Sequence, residues 1–481
     1  MRRILPVVVA LYAFAPMFGG GLVTHTNQGA AWARTLTREA SLGVDAVYYN
    51  PAGLARMKGG LHLSFSNQTI FQTRVITSEY PLMQEVPRDY DAKLVTPFFP
   101  SIYASYKLDK WAFSAGFNII GGGGSADFES GIPSFESRIA SIGASLAPID
   151  DAMIEAIGFD PGFRNVTGYY IGEMSFRVSS NYLGFQLGAT YAITEMISVA
   201  LGARYVAARN RYEGRTDLIT IDAPPVYGGT QFPGNYLRTV AMTPGLPAEV
   251  VQGLHGNADA LDRLSTDGHL NCVQKGAGIT PIIGLNIHLS DQLNIAFKYE
   301  FRTRIELTNE TEVDDLGMFP DGAKTRADLP GQLTAGVAFQ PIDKLTASVG
   351  FNYFQDRSAY YGDSDENGIP VNNESIIDNN SYTLSASLEY QFLDLLGISA
   401  GYAFGNLGVN DHYQSDLNYA NKNSSVGAGV FLDVGETLTI HAGVVFVIYN
   451  DYTRSHASPF TYTEVYQKEA TLFAIGLDFH L

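Results

Sequence analysis

The last thirteen residues, Glu469 to Leu481, constrain the fold more than any other stretch: Phe473, Ile475, Leu477, Phe479 and Leu481 alternate with Ala474, Gly476, Asp478 and His480. A period of two sends one set to each face of a β-strand. One face is then apolar and the other small or polar, which suits a sheet with lipid on one side and water on the other. The segment reads as the closing strand of a transmembrane barrel.

The same pattern recurs along the chain. Leu61, Leu63 and Phe65 alternate with His62, Ser64 and Ser66. Ile102, Ala104, Tyr106 and Leu108 lead through Asp109 and Lys110 into Trp111, Phe113, Ala115, Phe117 and Ile119, which is a hairpin with a two-residue turn. Similar runs start at Leu183, Val199 and Ile283, with 194–196 and 290–292 as short turns. Then Leu293, Ile295, Phe297, Tyr299 and Phe301 face one way while Asn294, Lys298, Glu300, Arg302 and Arg304 face the other. Burying those charges in a soluble core is strongly unfavourable, whereas a wet lumen accepts them. Further strands are expected near 329–340, 343–356, 380–393, 396–405, 423–433, 436–449 and 470–481, giving about fourteen. The expected fold class is all-β, an antiparallel transmembrane barrel.

Composition supports this less than periodicity does, because 46% hydrophobic residues also fits a soluble enzyme. The 28 Tyr, 28 Phe and 49 Gly suit aromatic girdles and tight turns. A net charge of −18, without basic runs beyond Arg2 and Arg3, excludes nucleic acid as a partner. The single cysteine, Cys272, excludes a disulfide framework and reads as an unpaired loop thiol.

Arg2 and Arg3 followed by the apolar run from Ile4 to Phe14 read as a secretory signal over 1–20, with cleavage among Phe18 to Gly21. No later stretch reaches the ~18 apolar residues that a membrane helix needs. An exported barrel belongs in a bacterial outer membrane. Short turns such as 341–344 and 434–436 would face the periplasm, and the long connections 121–180, 210–275, 309–328 and 357–379 the outside. Helix-like spacing from Phe135 to Phe159 and from Ala248 to Leu264 suggests helices that cap the outer mouth.

Residues 21–58 precede the barrel of 59–481 and contain Asp45-Ala46-Val47-Tyr48-Tyr49-Asn50-Pro51-Ala52-Gly53-Leu54. By itself Asn-Pro-Ala-Gly is a turn: proline restricts the residue before it and glycine permits a tight bend. The Ala-rich stretch and this motif, with Thr280 to Leu285 and Leu329 to Gln332 downstream, resemble the FadL/TodX family of outer-membrane transporters of long-chain fatty acids and other hydrophobic compounds. The resemblance implies a hatch inside the lumen, with Asn50, Pro51, Ala52 and Gly53 at the gate. It also implies passive uptake, and sideways release into outer-membrane lipid through a kink in the third strand. Gly121, Gly122, Gly123 and Gly124, at the end of the third expected strand, are the candidate kink; a flexible approach to a long loop is the alternative.

If the ligand carries a carboxylate, the inward cations Arg204, Lys298, Arg302 and Arg304 are candidates to meet it, unless they simply pair with acids such as Glu300 or Glu306. Asp363, Asp365, Asn367 and Glu374 have calcium-loop spacing within 363–374, but without flanking helices an acidic solvated loop fits as well. Catalytic and metal motifs are absent, the histidines are scattered, and no enzyme activity or cofactor is expected. The reading is a monomeric channel for hydrophobic small molecules; a general porin for polar solutes and a surface adhesin or enzyme remain as alternatives.

Overall fold

The structure is a computed structural model, and it describes residues 29–481 apart from Thr167, Leu316, 363–371 and Pro459, with backbone only at 123, 263 and 264. The signal segment 1–20 and the first part of the expected hatch, 21–28, lie outside the described residues. Fourteen antiparallel strands form a closed barrel. They are β1 (Gly60–Ser78), β2 (Arg88–Leu108), β3 (Trp111–Phe128), β4 (Glu173–Ala192), β5 (Ile197–Asp217), β6 (Gly268–Ser290) and β7 (Leu293–Glu300), followed by β8 (Gln332–Ile342), β9 (Leu345–Phe354), β10 (Ser381–Leu393), β11 (Leu396–Asn406), β12 (Asn423–Val434), β13 (Leu438–Tyr449) and β14 (Tyr462–His480). Each pairs with its sequence neighbours. Closure comes from β1 on β14, in register from His62↔His480 to Ser78↔Glu464.

The wall is inside-out relative to a soluble protein. Leu201 is 68% exposed while its neighbour Ala200 is 3% exposed, and Phe473 and Ile475 point outward while Ala474 and Gly476 are buried, as the terminal alternation requires. Inward positions carry Ser64, Ser105, Gln186, Asn286, Thr334, Ser399 and His441, all buried. Where its ladders are continuous a closed barrel satisfies the backbone groups of the wall, so lipid can cover the apolar outside. At the lower rim Trp111 packs on Tyr191 with ring centres 4.7 Å apart, beside a two-residue turn in which Asp109 takes a positive φ of 50°.

The first six strands run well past their alternating stretches: β3 continues to Phe128 rather than ending at the glycine run, and β5 and β6 reach Asp217 and back to Gly268. Above the membrane band both faces are polar or covered, so the hydrophobic period that marks a strand disappears. Cys272 consequently lies in β6, buried, not in a loop, and accepts from Thr311 Oγ1 at 3.3 Å.

The long connections fold over the mouth. Helices α3 (Pro133–Ala140) and α4 (Ile142–Ile157) replace the single helix-like stretch expected there, and α6 (Ala248–Ser265) matches its expectation. A further helix, α5 (Pro233–Ala241), was not foreseen; Arg238 on it holds Asp259 and Asp262 of α6 at 2.6 Å each. Their apolar faces meet Ile76, Tyr90, Phe128, Phe176 and Tyr212 from the strand tops in one buried cluster.

Candidate functional site

The chain from 29 to 58 sits inside the barrel and is buried almost throughout. Its two short helices, α1 (Ala30–Thr35) and α2 (Ala46–Tyr49), are too brief to be stable alone. Wall contacts hold them. The Ala30 amide donates to Ser66 Oγ at 3.2 Å, Arg34 Nε to His441 Nδ1 at 3.3 Å and Arg34 Nη1 to Ser399 Oγ at 3.0 Å, while Glu389 pairs with the same guanidinium. Within the hatch, Arg38 clamps Asp45 through Nε at 2.6 Å and Nη2 at 2.9 Å. The helix backbone can come this close because the facing wall lacks side chains. A Cβ at Gly427 would lie 2.7 Å from Ala33 O, and one at Gly336 would lie 2.6 Å from Glu39 Cβ.

The Asn-Pro-Ala motif anchors the hatch on the opposite side. Asn50 is extended, as a residue before proline should be; its Oδ1 accepts from the Ala52 amide at 3.2 Å and its Nδ2 donates to Leu285 O at 3.0 Å. Thr190 Oγ1 donates to Pro51 O at 2.7 Å and Ser198 Oγ to Ala52 O at 2.8 Å. Gly53 is required by a close approach, since a Cβ there would run into Ser41 O. Three successive residues are thereby tied to β4, β5 and β6.

Above the hatch lies a cavity of about 510 Å³, with Trp32, Leu36, Tyr48 and Tyr49 at its base and Ile70, Leu94, Phe99, Val178 and Leu472 among its wall residues. Gly122 and Gly124 also line it. At that height the wall changes character. The β2–β3 ladder runs from Leu108↔Trp111 to Ser101↔Asn118 and stops; above it β2 pairs only with β1, and β3 only with β4. Against β4, β3 carries two extra residues, Ile120 and Gly123, and Gly122 takes a positive φ of 71°. Such bulges bend a strand away from its neighbour. β2 bulges too, at Pro97 and Phe98 opposite the step from Gln68 to Ile70, and both Pro97 and Pro100 lack the N–H that a ladder needs. What crosses the gap is side-chain contact: a Cβ at Gly124 would lie 3.1 Å from Thr96 Oγ1 and 3.6 Å from Leu94 Cδ2.

No protein-family profile matches the sequence, and no curated protein does. Solved structures do match. A Pseudomonas aeruginosa FadL homologue aligns at a TM-score of 0.60 over 96% of this chain and 99% of that one, at 12% identity. The P. putida toluene transporter TodX aligns at 0.53 over 91% and 94%, at 14% identity. The Ralstonia pickettii toluene transporter TbuX aligns at 0.50 over 98% and 100%, at 16% identity. The chain has the FadL/TodX fold.

Within this FadL/TodX-type barrel the expected site residues fall into separate places. The glycine run is at mid-strand, not at the outer end of β3, and it flanks the cavity at the point where β2 and β3 part. Asn50, Pro51, Ala52 and Gly53 are not among the residues that line the cavity, whose base the aromatic residues of α1 and α2 supply. Arg204 and Lys298 do point inward but share one carboxylate: Arg204 reaches Glu300 at 2.6 and 3.0 Å, and Lys298 Nζ reaches it at 2.6 Å. Both cations lie about one ring's reach from Tyr48, at 5.0 and 5.2 Å from its centre, and Lys298 also donates to Tyr48 O at 3.1 Å. This cluster ties β5 and β7 to the hatch.

Arg302 and Arg304 do not join it. The chain between Glu300 and Glu306 leaves the regular ladder, with a lone bridge at Thr303↔Leu329, and the phase slips by one: Glu300 is buried, but so are Thr303 and Ile305. Arg304 is therefore exposed on the outer face instead of pointing into the lumen. Arg302 donates to Ser358 O at 2.6 Å under the loop that follows β9, and the expected Glu306 partner holds Lys324 instead, at 2.8 Å. Of the calcium-spaced residues, Asp363, Asp365 and Asn367 lie outside the described residues, and Glu374 is exposed beside Arg357.

Proposed function

We propose that this protein is a passive channel of a bacterial outer membrane that captures hydrophobic compounds, long-chain fatty acids among them, in the cavity above the hatch and releases them sideways between β2 and β3 into lipid. The observation that carries the reading is the continuity of one cavity from the aromatic base on α1 and α2 to Gly122 and Gly124 beside the broken β2–β3 ladder. A solute that dissolves poorly in water gains from a route that ends in hydrocarbon rather than in the periplasm. Diffusion down a gradient suffices, and pinning the hatch from Ser66 to Asn50 blocks a straight aqueous path. The similar structures named FadL homologue and toluene transporter support a hydrophobic cargo.

The test is uptake of a labelled long-chain fatty acid and of toluene by cells with matched surface expression, with a small sugar as polar control. Replacing Gly122 and Gly123 by Val, whose branched side chains favour regular pairing, should slow both apolar solutes several-fold and leave the sugar unchanged. Unchanged apolar uptake, or a loss confined to the sugar, overturns the reading in favour of a porin.

A further inference from the structure

The outer wall of β5 and β6 turns from apolar to basic at one height. Outward on β5 come Leu201 and Tyr205, then Arg209 and Arg211; outward on β6 come Ile283 and Ile279, then Lys275. Arg209 lies ten residues above Val199, which pairs with Tyr191 of the lower rim. Ten residues rise roughly 33 Å along a strand, and at a tilt of roughly 35–45° this spans about 25 Å of membrane, the height of the apolar band. The basic row therefore stands at the level of lipid headgroups, on the side of the long connections into which β5 and β6 lead.

Arg209 and Lys275 are direct register partners, and Lys275 pairs in turn with Thr308 of the strand Glu306–Asp314. Lys275 Nζ holds Glu310 at 2.5 Å, and Arg211 holds Glu213 at 2.7 Å. Arg209 and Arg304 are different. Among the described residues neither guanidinium has a hydrogen-bond partner, or a carboxylate within 4.0 Å, and both are exposed. Arg304 shares this outer face one strand beyond β6, where a Cβ at Gly278 would run into its carbonyl oxygen. Carried on from Lys275↔Thr308, the register sets Arg304 beside Ile279, two strands across from Arg209 and four residues below it. At the spacings of a sheet their Cα atoms are roughly 16 Å apart.

Other sectors of the upper wall are not basic: β2 presents Asp89, Asp91 and Lys93, and β14 presents Glu469. In a chain of 49 acids and 31 Lys and Arg, two exposed arginines without an acid leave uncompensated positive charge on this sector. A guanidinium matches a phosphate through two parallel hydrogen bonds, and a neighbouring ammonium adds a point charge. Directly below Arg209 and Lys275 the outward pair is Ala207↔Ala277, with Ile279 and Tyr205 beneath. These small side chains leave room for hydrocarbon to lie against the wall. Phosphate above and acyl chain below are the two halves of a membrane lipid.

We infer that Arg209 with Lys275, and Arg304 apart from them, bind the phosphates of an outer-leaflet glycolipid phosphorylated at both ends of its sugar pair, with acyl chains descending over Ala207 and Ala277. Two separated guanidinium sites match two separated phosphates, whereas a lipid with a single phosphate reaches only one of them. The inference needs an outer-membrane barrel but no particular cargo, so it can fail while the channel stands.

The experiment measures retention of diphosphoryl lipid A, monophosphoryl lipid A and phosphatidylglycerol by the delipidated full chain, in neutral detergent with a chelator, by native mass spectrometry. Inorganic phosphate is added as a competitor. The chains compared are the parent, Arg209→Gln with Lys275→Gln, Arg304→Gln, and Lys93→Gln as a charge control on β2. Heat-modifiable gel mobility verifies that each barrel is folded. The parent should retain diphosphoryl lipid A at least about tenfold more strongly than phosphatidylglycerol. The double variant should lose about tenfold or more of that retention. Arg304→Gln should bring diphosphoryl lipid A down to the level of the monophosphoryl form, and Lys93→Gln should match the parent. Equal retention of lipid A and phosphatidylglycerol by the parent, or an equal loss in Lys93→Gln and the double variant, shows a general attraction of anions to the wall and overturns the site. Retention unchanged in the double variant and in Arg304→Gln overturns it too, as does displacement of lipid A by inorganic phosphate, which marks a small-anion site. Uptake of apolar solutes, measured separately, decides the channel.

Discussion

The backbone nitrogen of Arg34 occupies the place that a side chain at Gly443 would need: a Cβ built on that glycine lies 2.8 Å from it. Close contact of α1 with the wall thus depends on glycine, and Gly443→Val should dislodge the hatch without breaking the β12–β13 and β13–β14 ladders. Protease cleavage between Ala30 and Lys58 should rise sharply in folded barrels, with faster leakage of a small sugar. Cleavage at the parent rate would mean that the hatch is held from its other side alone.

Glu300 is paired with both Arg204 and Lys298 in a fully buried site. Glu300→Gln leaves both cations without a carboxylate, and breaking a buried pair in this way costs about 3–5 kcal/mol. The urea midpoint in detergent should fall accordingly. Adding Arg204→Met and Lys298→Met to the same chain should recover most of the loss, because no charge is then stranded.

Neighbouring residues on β5 face different solvents. Leu201→Arg places a charge against lipid and should cost roughly 2–4 kcal/mol if it sits near the midplane. Ala200→Ser, one residue away on the lumen side, should be tolerated. Folding yields into vesicles distinguish them; equal yields would show that the facing is reversed.

Asp416, in the connection after β11, accepts a hydrogen bond from the Ser134 amide at 2.7 Å, and burial, with Glu464 nearby, pushes its carboxyl up to about 6. A carboxyl raised in the folded state from its ordinary 3.8 destabilises when ionised, so the penalty is full above pH 6 and is relieved as pH falls from 6 toward 4. Packing of α3 on this connection should tighten over that window. Hydrogen exchange near Ser134, corrected for the intrinsic rate, should slow at pH 5 relative to pH 7, and Asp416→Asn should remove the dependence.

The fold was legible wherever lipid and water impose opposite demands on alternate residues, as at Phe473 and Ala474 or at Leu285 and Asn286. The site was legible only in part. The strands β1 and β14 could be followed to about Ser66 and from Ala470, because beyond those points the outward positions Asn67, Thr69 and Thr73 on β1 and Gln467 and Glu469 on β14 are polar and the alternation is lost. Arg304 was misplaced because a one-residue slip at Thr303 leaves no mark in a hydrophobic pattern. The glycines at 336, 427 and 443 looked like composition, since a groove for another segment's backbone exists only once the two are brought together.

If cargo leaves sideways as proposed, the parted β2–β3 wall sets how that release depends on temperature. Asn67 and Thr69 already satisfy Pro97 O at 3.0 Å each, and Asn67 Oδ1 takes the Phe99 amide at 3.0 Å, so the bulge on β2 is bonded from the β1 side. A solute passing between Thr96 and Gly124 displaces side chains but severs no ladder bond there. Its barrier is one of rotamer motion and not of strand melting, and its rate should rise only gently on warming, in step with the fluidity of the surrounding lipid.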